Sequence, residues 1–119
     1  ILRFQIPWGH AHLDGLMNMV DRKKALIFPW QTPYDVIKPL VDRGFSIIEA
    51  PSIEEVKRGA AVNLVALEPG VVVLPSGNPE TRKALEKGGV EVIETDVTEI
   101  LKGYGSLHCM SAFLDRDEI

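Results

Sequence analysis

The chain has 119 residues, 45% hydrophobic and 25% charged, a size and balance that suit one globular domain and exclude a disordered tail or a fibrous repeat. A formal net charge of −4 leaves no basic stripe for phosphate, which argues against DNA or RNA as a partner. Glycine, proline or a charge interrupts every apolar run well short of the roughly 18 residues a membrane span needs, so no membrane partner is expected. The single cysteine, Cys109, cannot form an internal disulfide, which fits a reducing cytoplasm. The opening residues 1–6 lack the charged region, apolar run and cleavage site of a signal peptide, and Ile1 reads as an internal cut with more polypeptide upstream.

Residues 10–20 and 25–28 read as paired strands joined by the polar turn Asp21-Arg22-Lys23-Lys24. Pro33 opens a helix that runs to 42, and 45–49 forms a third strand. Residues 53–58 suit a turn or two of helix. A second hairpin follows, with strands at 63–67 and 71–74. Its turn is Glu68-Pro69-Gly70, where Pro presets one dihedral and Gly accepts a positive φ. The helix at 79–87 has Asn78 as N-cap, Pro79 at its first position and Gly88-Gly89 as its C-terminal stop. Residues 98–101 suit one more helical turn.

The halves repeat. Ile27-Phe28-Pro29-Trp30 falls over Val73-Leu74-Pro75-Ser76, and Pro33 over Pro79. With one residue less in the second helix, Leu40 then falls over Leu85, Gly44 over Gly89 and Ile48-Glu49 over Ile93-Glu94. The fold class is α/β, built from two ββαβ units. The run Val71-Val72-Val73-Leu74 is apolar on both faces and predicts a strand covered on each side. Two units alone leave edges and sides open, which predicts further units upstream or a partner chain.

Cys109 lies in Gly103-Tyr104-Gly105-Ser106-Leu107-His108-Cys109-Met110-Ser111. The glycines permit a tight turn before a short strand, 105–111, that presents the thiol. A lone cysteine is either an activated nucleophile or a small buried hydrophobe. If 10–20 is a strand, His10, His12 and Asp14 share one face, as a proton shuttle beside a cation-binding carboxylate or as a solvated surface. His108 should point away from Cys109 and reads as support, and Trp8 and Trp30 read as packing residues. His10-Ala11-His12-Leu13-Asp14 also resembles the His-x-His-x-Asp zinc motif of metallo-β-lactamase-like enzymes, without a third metal-binding histidine.

Three segments carry a more specific likeness. His12-Leu13-Asp14-Gly15-Leu16-Met17-Asn18-Met19-Val20-Asp21 resembles the His-Leu-Asp strand of arginine deiminases. Asn63-Leu64-Val65-Ala66-Leu67-Glu68-Pro69-Gly70-Val71-Val72-Val73 resembles their hairpin, and Gly105-Ser106-Leu107-His108-Cys109-Met110-Ser111 their C-terminal cysteine motif. The resemblance implies the pentein fold, an α/β propeller of five ββαβ modules. The chain would hold about two of them, 10–50 and 60–96, in a single partial domain over 1–119 that forms the C-terminal part of a catalytic domain.

The resemblance further implies that Cys109 attacks a guanidinium carbon, expels an amine and forms a covalent S-alkylthiouronium that water resolves. His12 would be the general acid and base, and Asp14 one of the carboxylates that grip the cation. Tyr104 stands where many arginine deiminases have an arginine that holds the substrate's amino-acid end. That points the substrate-binding role of Tyr104 toward agmatine, a modified arginine or another guanidino compound. Amidinotransfer at the same cysteine and a non-catalytic pentein binding module are the alternatives. The reading expects a small guanidino molecule as partner, no cofactor and no metal, an oligomer, and an inactive fragment until the N-terminal half supplies a second carboxylate.

Overall fold

The computed structural model describes residue 1, residues 3–6 and residues 12–117; Trp8 and His10 lie outside the described residues. A short 3-10 turn, Leu13–Gly15, leads into β1 (Met17–Asp21) and β2 (Lys24–Ile27). These are followed by α1 (Tyr34–Asp42), β3 (Ser46–Glu49) and α2 (Ile53–Arg58). The second unit comprises β4 (Val65–Glu68), β5 (Val71–Pro75), α3 (Pro79–Lys87) and β6 (Glu91–Thr95), and α4 (Thr98–Leu101) closes the series. In each unit the first two strands pair antiparallel and the third returns through a helix to pair parallel with the second. The ββαβ duplication is therefore real, and α2 and α4 fall on the segments expected to be helical.

The strand registers shift the sequence alignment by one residue. Ile27 pairs with Glu49, and its counterpart in the second sheet is Leu74, which pairs with Glu94, rather than Val73. The helices are equal in length, nine residues each, so no residue is missing from the second one. The shortening lies in the connection before it: seven positions separate Ile27 from Tyr34, and five separate Leu74 from Pro79. Pro33 is accordingly the N-cap of α1, whereas Pro79 is the first residue of α3. Gly44 and Gly89 both take φ of 78°, a left-handed conformation that lets each helix end turn back into its strand.

Each helix covers the same face of its own sheet. Val36 and Leu40 of α1 bury against Met17, Ala25 and Ile27. The opposite face of the first sheet, with Leu26 and Ile48, packs into a second core shared with Val72, Leu74, Leu85 and Val90. Burial of these side chains supplies about 25 cal/mol per Å2 of apolar surface removed from water. With the corrected register, the second sheet's counterparts of Val20, Leu26 and Ile48 are Leu67, Val73 and Ile93. The first three are at most 8% exposed, whereas Leu67 is 59% and Ile93 44% exposed and Val73 is half-buried. Within the described chain, then, β5 is fully covered on one face only, through Val72 and Leu74, and the two-sided cover expected from its sequence is half realised.

The N-terminus of α3 is capped by a residue far away in sequence. Asn78 occupies the N-cap position, but its side chain donates to the carbonyls of Gly59 and Pro75, each at 2.8 Å. The buried Glu55 carboxylate instead accepts the N–H of Glu80 and of Thr81, both at 2.8 Å, and the Thr81 hydroxyl at 2.7 Å. Negative charge at a helix N-terminus is also favoured by the helix dipole. Gly59 lets Asn78 approach, because a Cβ there would lie 1.9 Å from the Asn78 Oδ1. Glu55→Ala strands two backbone donors and one hydroxyl, and should lower the unfolding free energy of the complete polypeptide by about 3 kcal/mol. Urea denaturation reads this directly. Glu54→Ala, which breaks only an exposed pair with Arg58, should change it by less than about 1 kcal/mol.

In the β1–β2 turn, the Arg22 N–H and then the Lys24 ammonium hold the Asp21 carboxyl below its ordinary range. A depressed carboxyl stabilises the fold above its unfolded-state value, and this contribution is lost as pH falls through the lower folded-state value.

Candidate active site

Residues 12–16 were expected to extend β1 but do not. Pairing with β2 begins at Met17 opposite Ile27; the Phe28 N–H still reaches Leu16 O at 2.8 Å, and Pro29 beyond it has no N–H to offer. Without a partner strand, residues 13–15 wind into the 3-10 turn, closed by the Leu16 N–H on Leu13 O at 2.9 Å. The alternation that put His12 and Asp14 on one strand face therefore does not apply. Asp14 is half-buried, with its side chain 18% exposed, while His12 precedes the turn in extended conformation and is exposed.

The cysteine segment departs from expectation in the same way. Residues 105–111 form no strand. They turn, with the Met110 N–H on Ser106 O at 3.1 Å, the Ser111 N–H on His108 O at 3.1 Å, and Ser106 and Leu107 buried as the anchor. In a turn, neighbouring side chains can share a side, and here His108 and Cys109 do. His108 Nδ1 lies 3.1 Å from Asp14 Oδ2, and Cys109 Sγ donates to the same oxygen at 3.3 Å. The expectation that His108 points away from the thiol's surroundings rested on the strand and falls with it. An ionised carboxylate only accepts hydrogen bonds, so with Asp14 ionised this contact places the Nδ1 proton on His108.

The fourth member of the cluster is Asn63. Its Oδ1 accepts the backbone N–H of His108 at 2.9 Å and of Cys109 at 3.2 Å, and its Nδ2 donates to Cys109 Sγ at 2.8 Å. Asn18 of β1 fixes the backbone on both sides of it, donating to Val62 O at 3.2 Å and Leu64 O at 2.8 Å. Sequence reading placed Asn63 inside a strand, yet β4 begins only at Val65. The available signal was a strand-averse asparagine among apolar residues.

Of the expected site residues, the fold brings Asp14 and Cys109 together from positions 95 apart. The thiol is free and exposed. His12 neighbours Asp14 along the backbone but takes no part in the hydrogen bonds of the cluster. Tyr104 is fully exposed on a left-handed backbone with φ of 62°. Among the described residues no group of three His, Cys, Asp or Glu side chains is placed to hold a metal ion. His10, on which the zinc-like pattern depends, lies outside those residues.

Two consecutive ββαβ units, with a thiol at the end of one and a carboxylate at the start of the other, define a pair of pentein-type modules. The arginine deiminase profile matches residues 31–116, and the chain belongs to that family. It is 34% identical over 107 residues to 2-nitroimidazole nitrohydrolase of Mycobacterium sp. (strain JS330), covering 90% of this chain and 28% of that protein. With the arginine deiminase of Streptococcus gordonii it is 39% identical over 137 aligned positions, covering 91% of this chain and 34% of the relative. Among solved structures, the amidinotransferase SxtG from Microseira wollei superposes with a TM-score of 0.73 at 20% identity, over 92% of this chain and 34% of the other. A cysteine-to-serine variant of DDAH from Pseudomonas aeruginosa, complexed with citrulline, does so with a TM-score of 0.63 at 29% identity, over 86% and 36%. The chain thus spans about a third of the length of the relatives it matches. Its family modifies guanidino groups, and among the described residues no helix is long and apolar enough to cross a membrane.

Proposed function

We propose that, within the complete polypeptide, this chain supplies the nucleophile for hydrolysis of a C–N bond at a guanidino-type carbon. The observation that carries the reading is the exposed Cys109 thiol 3.3 Å from the Asp14 carboxylate. A planar cation that takes the Asp14 oxygens through parallel hydrogen bonds must displace that thiol contact, which sets its central carbon beside the sulfur. The cation's charge also favours a thiolate over a thiol.

Attack then forms the S–C bond. The amine leaves as it accepts a proton, and water attacks the same carbon, releasing the ureido product and restoring the thiol. His12 is assigned the proton transfers on its match to the family's His-Leu-Asp motif, and Asp14 the grip on the cation. Tyr104 is assigned the far end of the substrate, where a neutral phenol in place of an arginine disfavours free arginine. The remaining carboxylates come from the rest of the polypeptide, as do the modules that cover Leu67 and Ile93. The single free thiol suits a cytoplasmic enzyme, and the assembly is an oligomer.

The names of the relatives widen the substrate class in one definite way. C2 of a 2-nitroimidazole, like the carbon of a guanidinium, is bonded to three nitrogens, so the shared requirement is an electrophilic sp2 carbon of that kind with one departing nitrogen group. Amidinotransfer differs only in the second step, when an amine replaces water. Incubating the complete polypeptide with labelled agmatine, with and without glycine as acceptor, should give labelled ureido product in both cases. A labelled guanidino-glycine would instead establish transfer. In the same assay, His12→Ala should lower kcat by about 10^2 to 10^4-fold and accumulate the Cys109 adduct. Accumulation in His108→Ala alone would move the proton transfers to His108.

A further inference from the structure

We propose that Asn63 is the positioning residue of the Cys109 thiol, with its two carboxamide ends doing separable work. The proposal rests on the reading of Cys109 as nucleophile. The acceptor end holds two successive N–H groups in a segment without a strand partner: that of Cys109, and that of His108, which also reaches the Asn63 backbone carbonyl at 3.4 Å. The donor end reaches Sγ itself at 2.8 Å, on the sulfur that also contacts Asp14. One planar group thus fixes the backbone of the nucleophile and aims at its reacting atom. Hydrogen bonds to a charged partner are stronger than to a neutral one, so the Nδ2 donor supports the sulfur as an attacking nucleophile. Asp14 opposes it until a cation occupies that carboxylate.

The residue is well placed for such a task. Asn63 is 9% exposed, and Asn18 clamps the carbonyls on either side of it, so little freedom remains for the carboxamide to swing away. No other common side chain of this size offers both ends. Aspartate keeps the acceptor and replaces the donor with a second negative oxygen beside the sulfur. Leucine keeps the volume and removes both.

The test uses the complete polypeptide and reads the two ends independently of any substrate. Asn63→Asp should keep amide exchange at His108 and Cys109 slow relative to the leucine variant, because the acceptor remains, while alkylation of Cys109 by iodoacetamide at pH 7 slows about tenfold. Asn63→Leu should slow alkylation as well and speed exchange at the Cys109 amide by at least about tenfold, with a smaller effect at His108, whose N–H keeps the backbone carbonyl of residue 63. Wild-type alkylation in the aspartate variant overturns the proposal, as does unchanged protection of the Cys109 amide in the leucine variant; if leucine prevents folding, the aspartate variant still decides. Failure of the nucleophile reading itself appears elsewhere, as turnover retained by Cys109→Ala.

Discussion

Cys109→Ala abolishes turnover by the complete polypeptide, with kcat lowered by at least about 10^3-fold, while its unfolding free energy falls by only about 1 kcal/mol, the cost of leaving the Asn63 Nδ2 donor without its sulfur acceptor. The two halves of this expectation come from the same geometry. The cysteine is exposed on a turn, so removing its sulfur opens no core cavity. The turn keeps its shape because the bonds that hold it, from the His108 and Cys109 N–H groups to Asn63 Oδ1 and from the Ser111 hydroxyl to Leu107 O at 2.6 Å, do not involve the sulfur. Stability and chemistry are therefore uncoupled at this position. Steady-state kinetics beside a urea titration separates them, and substantial turnover in the variant rejects the nucleophile assignment.

Asp14→Asn gives effects of opposite sign in two assays. The amide preserves shape and can still accept a bond from His108, but it cannot bind a cation as a carboxylate does, and a charged hydrogen bond contributes roughly 1.5 to 3 kcal/mol. With two such bonds at stake, kcat/KM should fall by on the order of 10^2-fold or more. Replacing the carboxylate that holds the Sγ–H at 3.3 Å simultaneously weakens the bond that occupies the sulfur, so alkylation by iodoacetamide should speed up. A variant that merely loosened the site would lose turnover without making the sulfur more reactive. A fall in both rates would show that Asp14 organises the turn and does not grip the substrate.

The repeated architecture was legible because it is written in local chemistry. Pro33, Pro79, Gly44 and Gly89 punctuate helices whose apolar spacing then places Leu40 and Leu85 in equivalent positions. Register was less legible, since Ile27 matches Val73 in side chain better than in hydrogen-bond pairing, and only the β2–β3 and β5–β6 ladders distinguish Val73 from Leu74. Glu55 illustrates a deeper limit. Ser52 three residues before it suggests a local capping box, and Ser52 does accept the Glu55 N–H at 3.3 Å, but the carboxylate crosses to cap α3. Tertiary contacts of that kind have no sequence signature.

The site was legible by likeness more than by periodicity. Asp14 and Cys109 do meet, yet the strand alternation that singled out Asp14 and the short strand expected to present Cys109 were both mistaken, because neither 12–16 nor 105–111 has a strand to pair with. The same false strand hid His108, whose ring reaches Asp14 only because the segment turns. Asn63 was missed for a complementary reason: its value lies in three bonds to residues 45 and 46 positions away, which no local pattern announces. His12, whose strand-face argument has fallen, and Tyr104, assigned by likeness alone, are exposed here, and their roles depend on the substrate and on the rest of the polypeptide.

Rapid acid quenching of the complete polypeptide during turnover of a guanidino substrate, followed by mass spectrometry of the peptide that carries Cys109, tests the central claim directly. The expected product is that peptide bearing the substrate's amidino carbon on sulfur, heavier by the substrate minus the departed amine and chased away on further incubation. Turnover with an unmodified Cys109 at every quench time, including in the slowed His12→Ala variant, or with the adduct on another residue, contradicts it.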